Sequence, residues 1–461
     1  MTASAPVAGE RERLGQLPER FSHAVVAFVD DDGYPMSVAT SFRVDADRGV
    51  VLLDDFEPIA PVGREVNVVF SHIRPQPGQG YDERRYVQLW GSLRRVAGQL
   101  EVAPQRMGGW DEQDVPFFEY SERTVPQAHR YFRRRSEEAG RPVRPRLSSG
   151  WLFLRATRLP FLSATFVPVL LGIAVAANDG AFHWWLGLLT LLGASFVHLG
   201  LNVANDVFDT MSGADQANVT PTQFSGGSRV IHYGLVTMRG MAAMAVAFYV
   251  AAAAIGLFLA VDRGFWPLFL LGLAGMAISI AYTAPPLRLV HRGIGEFAVA
   301  AGFGPIMVLG AYYVQAQRFT AEAVFASLPV AILIALVLYV NEIPDRAGDA
   351  AAGKRTIPVR LSKEAVIAGY VGAAALAYGL ILAGGLSGLL VRPTLVALAT
   401  LPLALRVARG LRRDYESPYA LMPHMATNIK LHLYTGLLLF AGYLASIVAG
   451  HNLANPPWFL R

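Results

Sequence analysis

The apolar and polar positions divide the chain near residue 150. Beyond that point, apolar stretches of about 18–22 residues recur, each long enough to cross a ~30 Å hydrocarbon core as a helix. They predict nine spans, at 159–177, 184–204, 239–261, 265–283, 294–313, 321–341, 364–386, 389–406 and 430–449. Before residue 150 the apolar runs are short and punctuated by turn residues. Ala24–Val29 and 36–42 flank Asp30-Asp31-Asp32-Gly33, a hairpin signal, and 45–49 turns into Val50–Leu53, with 66–71 and 86–96 following. Five or six short strands with tight turns predict a small β barrel over 21–125. Residues 1–20 read as a disordered N-terminus, 126–150 as a basic juxtamembrane linker, and 151–452 as an all-α, nine-helix membrane domain.

Composition sharpens this division. The chain is 53% hydrophobic and 16% charged and has no cysteine, which excludes disulfides, zinc–thiolate sites and iron–sulfur clusters. The opening residues, MTASAPVAGERERLGQ, lack an apolar signal core. The net charge of +5 does not call for nucleic acid, because much of the arginine flanks the spans. With residue 158 on the cytoplasmic side, the inner loops hold Arg229, Arg239, Arg288, Arg292, Arg346, Lys354, Arg355, Arg360, Lys363, Arg406, Arg409, Arg412, Arg413 and Lys430. The outer turns then hold only Arg263, Arg318 and Arg392. This bias predicts a multi-pass plasma-membrane protein with its N-terminus cytoplasmic and its C-terminus outside. Seven arginines in 130–146 add a patch suited to anionic lipid headgroups.

Candidate chemistry lies at two span ends. Span two runs into Asn202, Asn205, Asp206, Asp209, Gly213 and Asp215. Span six runs into Asn341, Glu342, Asp345, Asp349, Gly353, Lys354, Arg355 and Thr356. On a helix, Asp206 and Asp209 share a face, as do Asp345 and Asp349. Carboxylates at a membrane boundary are costly without partners and therefore point to function. Two sets of hard oxygen ligands suit Mg²⁺ bridging a diphosphate. Arg229, Arg288, Arg292, Lys354 and Arg355 are candidate phosphate-binding cations. Solvated loop charges and a transport site are the competing readings; coupling sites of transporters, however, lie nearer the bilayer midplane.

At these residues the chain resembles the UbiA superfamily of intramembrane prenyltransferases, whose motifs are NDxxDxxxD and DxxxD. The second matches at Asp345 and Asp349. The first matches at Asn205, Asp206 and Asp209, with its last Asp two positions late at Asp215. That variant, and the segment from Trp151 to Gly172, resemble the branch that prenylates 1,4-dihydroxy-2-naphthoate in menaquinone formation. The loop Tyr282-Thr283-Ala284-Pro285-Pro286-Leu287-Arg288 is similar to a phosphate-binding loop of other branches, with Pro286 where many members have Lys. The resemblance implies a polyprenyl diphosphate donor and an aromatic acceptor. Asn205, Asp206, Asp209, Asp345 and Asp349 would hold Mg²⁺. Asn202, Tyr282, Arg229, Arg288, Arg292, Lys354 and Arg355 would contact substrate. A terpene cyclase using the same ionisation without an acceptor, and a non-enzymatic transporter or regulator, remain alternatives.

Glu296, early in span five, is a candidate base for an acceptor. His198, Asn428 and His432 read as helix-packing or cap residues beside that cavity, and Trp184 and Trp185 as an interfacial aromatic belt. The N-terminal strands, notably 28–35 and 87–91, resemble the flavin-binding split barrels of the pyridoxamine-phosphate-oxidase-like superfamily. That resemblance implies FMN held by Arg43 and Arg64. Without flavin, the barrel reads as a dimerisation or docking module.

Overall fold

The computed structural model describes residues 13–450 apart from 59, 61, 77–79, 116, 144–146, 219, 220 and 223. The chain forms two compact units, residues 1–123 and 124–461.

The first unit holds eight strands where five or six were expected: β1 (Ala24–Val29), β2 (Pro35–Thr40), β3 (Phe42–Asp45), β4 (Val50–Leu53), β5 (Glu65–Gln76), β6 (Gly80–Val96), β7 (Gln99–Val102) and β8 (Arg106–Asp111). All pairings are antiparallel, in the order β2-β1-β5-β6-β7-β4-β3, with β8 added to β6. The path runs from β2 at one end to β3 at the other, forming the N-terminal antiparallel sheet domain. The predicted hairpin forms as read, with Asp30 Oδ1 accepting from the Tyr34 amide at 2.8 Å. Val26, Val51, Leu53, Val68, Phe70, Leu89, Leu93 and Leu100 fill its core.

Two expectations about the flanks are corrected. Residues 13–20 are helical rather than disordered: Leu14 and Leu17 are apolar positions one turn apart and both enter the sheet's core. Residues 1–12 lie outside the described residues. The stretch read as a linker contains a long helix, Phe117–Ala139, followed by Ser149–Thr157, which Ser148 caps through the Trp151 amide.

In the second unit, nine helices among the described residues are long and apolar enough to cross a membrane. They are span one (Leu159–Asn178), two (Trp184–Ser212), three (Met238–Arg263), four (Phe265–Thr283), five (Gly295–Ala316), six (Ala321–Ala351), seven (Lys363–Ser387), eight (Arg392–Asp414) and nine (Met422–Val448). Spans two and six run a further two turns or so past their apolar limits, carrying both acidic motifs on continuous helix. Span eight is displaced from its expected place. Arg392 opens it rather than lying inside it, because Pro393 suits a helix's first turn, and its amphipathic second half reaches Asp414. Span five contains a π turn at Gly302–Ile306 around Pro305, whose missing N–H breaks the regular ladder. There Gly304 lets spans five and six touch, since an added Cβ would stand 2.2 Å from the Ala331 Cβ.

Candidate functional site

The two acidic motifs meet. A polar chamber of about 190 Å³ is lined by Asn202, Asn205, Asp209 and Asp215 from the first motif region and Asn341, Glu342, Asp345, Asp349 and Lys354 from the second. Beyond it lies an apolar cavity of about 440 Å³ walled by spans two to five. His198, Leu201, Tyr282, Val299 and Phe303 line both, so the polar chamber and the apolar cavity adjoin across these five residues.

Lys354 ties the motifs together. Its ammonium stands 2.8 Å from Asp209 Oδ1 and 3.6 Å from Asp349 Oδ1, with both acids and the lysine largely buried. Burial works against its charge, but Asp209 and Asp349 outweigh that and raise its pKa above the usual lysine value. Asn205 donates to the other oxygen of Asp209 at 2.9 Å.

The loop after span two fastens both motifs at once. Asp206 accepts from the Ser228 amide at 3.1 Å and from the Ser228 hydroxyl. Asp345 accepts from Asn218 Nδ2 at 2.8 Å and from the Gly226 amide at 2.9 Å. Gly227 needs to be glycine: its φ is +71°, and an added Cβ would lie 2.9 Å from Asp206 Oδ1. Asp215 closes the chamber and accepts from Thr210 Oγ1 at 3.0 Å. Burial, with Asp209 and Asp206 nearby, pushes its carboxyl up to about 7.

The residues singled out from sequence therefore separate into three groups. Asn202, Asn205, Asp209, Tyr282, Asp345, Asp349 and Lys354 face the chamber. Asp206, on span two, and Arg229, on the fastening loop, are both buried: Arg229 donates to the Asn218 carbonyl at 2.9 Å and packs over Tyr233. Arg288, Arg292 and Arg355 are exposed and outside the chamber lining: the first two lie on the turn after span four, where Arg292 donates to the Pro286 carbonyl, and Arg355 follows span six. Besides Lys354, the chamber is lined by Arg158, which was not among the phosphate-binding candidates read from the sequence. It sits at a left-handed break, φ +53°, between the Ser149–Thr157 helix and span one, and rests on Phe161. Asn218 and Ser228 were also missed, since their partners are 127 and 22 residues away.

His198 lines both cavities while Thr165 Oγ1 meets its Nδ1 at 2.8 Å. Asn428 is held by Tyr370 and the Leu336 carbonyl, a packing role. Glu296 is not alone, as its sequence context suggested: its carboxyl meets that of Glu342. Among the described residues no three carboxylates or imidazoles converge tightly enough to hold a metal by themselves. In the first unit, Arg43 pairs with Asp54 and Gln99, and Arg64 with Asp31. Both are exposed and engaged by the sheet domain's own groups, an arrangement that lends FMN no support.

Residues 165–452, more than half of the chain, match the model of the UbiA prenyltransferase family. The chain belongs to the UbiA prenyltransferase family. It is 33% identical over 254 residues to the 1,4-dihydroxy-2-naphthoate octaprenyltransferase of Mycobacterium tuberculosis, covering 54% of this chain and 82% of that protein. It is 26% identical over 303 residues to the Bacillus subtilis protein of the same name, covering 65% and 94%. To the 2-carboxy-1,4-naphthoquinone phytyltransferase of Synechocystis it is 29% identical over 296 residues, covering 63% and 92%. A solved UbiA homolog from Archaeoglobus fulgidus bound to GPP and Mg²⁺ aligns at 16% identity and a TM-score of 0.44, covering 63% and 99%. The UbiA match begins inside span one and takes in both motifs; the N-terminal sheet lies outside it.

Proposed function

We propose that this UbiA member transfers a polyprenyl group from a polyprenyl diphosphate to an aromatic hydroxy acid, 1,4-dihydroxy-2-naphthoate being the favoured acceptor. One observation carries the reading: a chamber built of acids, Asn side chains and a buried Lys adjoins an apolar cavity across five shared residues. A diphosphate and an isoprenoid tail need those two environments side by side.

Mg²⁺ fits this donor set. It binds through one or two carboxylates and completes its shell with waters and phosphate oxygens, so three converging acids are not required. The Lys354 ammonium between Asp209 and Asp349 already marks that position as one for a cation. Asp209, Asp345 and Asp349, with Asn205 beside them, would hold the ions. Bound there, Mg²⁺ supplies charge neutralisation for the departing diphosphate. Lys354 and Arg158 offer further positive charge to the phosphate oxygens. Asp206 and Arg229 act through the loop they hold. The apolar cavity keeps water from the allylic cation and guides the chain.

In this reading the chamber lies at the cytoplasmic face of the plasma membrane, with the N-terminus inside and the C-terminus outside, as the Lys/Arg bias supports. The cysteine-free chain allows single cysteines to be placed near Arg318 and near Arg409 and tested with an impermeant maleimide; labelling near Arg409 alone in intact cells would reverse it. The activity test supplies membranes with polyprenyl diphosphates and dihydroxynaphthoate and follows products by mass spectrometry. Prenylated naphthoquinol is expected; prenyl hydrocarbon without acceptor would make the chain a cyclase instead.

A further inference from the structure

Glu342 is one turn deeper than Asp345 on the same helix face, at positions i and i+3 of span six. It lines the polar chamber, is 6% exposed, and stands beside Tyr282, one of the five residues shared with the apolar cavity. Its carboxyl meets that of Glu296, likewise 6% exposed, from the first turn of span five. None of their four oxygens accepts a hydrogen bond from another described residue. A buried carboxyl left without a donor costs several kcal/mol, so a built site of this kind awaits a donor from outside the protein.

We propose that Glu342, positioned by Glu296, is the acceptor site, taking the hydrogen bond of an aromatic hydroxyl. This rests on the prenyl-transfer reading and adds to it the group that recognises the nucleophile. The depth is appropriate. Asp345 and Asp349 face the diphosphate at the chamber's outer end, while Glu342 lies one turn inward, where the allylic carbon at the head of the apolar tail would arrive. As the ring carbon's electron pair forms the new bond to that allylic carbon, the bond to the diphosphate oxygen breaks and the diphosphate leaves with its electron pair. The hydroxyl proton passes to Glu342, leaving a neutral dienone. Loss of the ring carbon's original substituent, as CO₂ or as a proton taken up by the departed diphosphate, leaves its electron pair in the ring and restores aromaticity while Glu342 returns its proton to the oxygen. Glu296 faces no substrate in this scheme and is a positioning residue; sharing a proton with Glu342 holds that carboxyl at the wall and sets its basicity.

Glu342→Gln keeps the shape and removes the base. In the full chain, kcat/KM for dihydroxynaphthoate is expected to fall about 100-fold or more. The Kd for a non-hydrolysable prenyl thiodiphosphate, read with Mg²⁺ present, should change less than about threefold, which also reports that the variant folds. Wild type should favour the dihydroxy acceptor over its monomethyl ether, and Glu342→Gln should lose that preference. Glu296→Gln should give a smaller loss with a shifted pH profile of kcat/KM. Unchanged acceptor kinetics in Glu342→Gln, or equal loss of donor binding, overturns the assignment while leaving the prenyl-transfer reading intact. A wild-type protein that prenylates no hydroxyaromatic acceptor overturns both.

Discussion

Lys354 reaches back from the end of span six to stand 2.8 Å from Asp209 Oδ1 at the end of span two. This buried pair joins two motifs that the chain separates by three intervening spans, and it places a positive charge where a diphosphate would need one. Truncating it leaves two carboxylates facing each other without compensation. Lys354→Met is expected to lower kcat/KM for the prenyl diphosphate by about 100-fold, the scale for losing a charge-stabilising group. Steady-state prenyl transfer in detergent or nanodiscs checks it.

The fastening loop yields a stability prediction. Gly227→Ala forces a side chain into left-handed backbone and against Asp206. The expected cost is about 1–3 kcal/mol, seen as a lower Tm in a detergent melt. Gly353→Ala, also at positive φ but with open space around its added Cβ, should cost less.

Much of the fold was legible because lipid imposes a blunt rule: a span must be apolar for its full thickness. The same rule hid the helix ends. Residues 205–212 and 341–351 are polar enough to stop a hydropathy count, yet they continue as helix because the motifs hydrogen-bond to each other and to the loop. Asp209, Asp345 and Asp349 were found by spacing along their helix faces, and Lys354 as a cation beside the second pair. Arg158 was not, since nothing local distinguishes it from the basic residues around it, and only the break before span one points it inward. Arg288, Arg292 and Arg355 show the converse. They have the right charge at the right boundary, but all three are exposed, Arg288 and Arg292 after span four and Arg355 after span six.

Asp215 gives a pH signature in metal-free protein. Its folded-state carboxyl is raised to about 7, above the ordinary aspartate value of 3.8, so it favours the protonated form in the fold. The stability it contributes is present below pH 4 and is lost as pH rises through about 7. Melts in EDTA between pH 4 and 8 should show wild type losing stability over that window and Asp215→Asn losing less. Adding Mg²⁺ with pyrophosphate should raise the wild-type Tm, with the logarithm of ligand concentration over Kd, and EDTA should reverse it.

The apolar cavity has room at Gly272, where an added Cβ meets nothing within 4 Å. Gly272→Leu should therefore fill space without strain. Its expected effect is selective: kcat/KM falls about tenfold for long polyprenyl diphosphates and little for geranyl diphosphate. Competition between two donor lengths, resolved by mass spectrometry, measures it.

The double anchorage of the loop through Ser228 and Gly226 also dictates an order of biosynthesis. Asn218 emerges from the ribosome 127 residues before its partner Asp345. Throughout that interval Asp206 can be engaged locally, but the second anchor is still unmade. On the proposed reading, catalytic competence would be withheld from every nascent chain until its sixth hydrophobic segment has been threaded into the bilayer, and a polypeptide terminated earlier would insert without the second anchor of the pyrophosphate-handling centre.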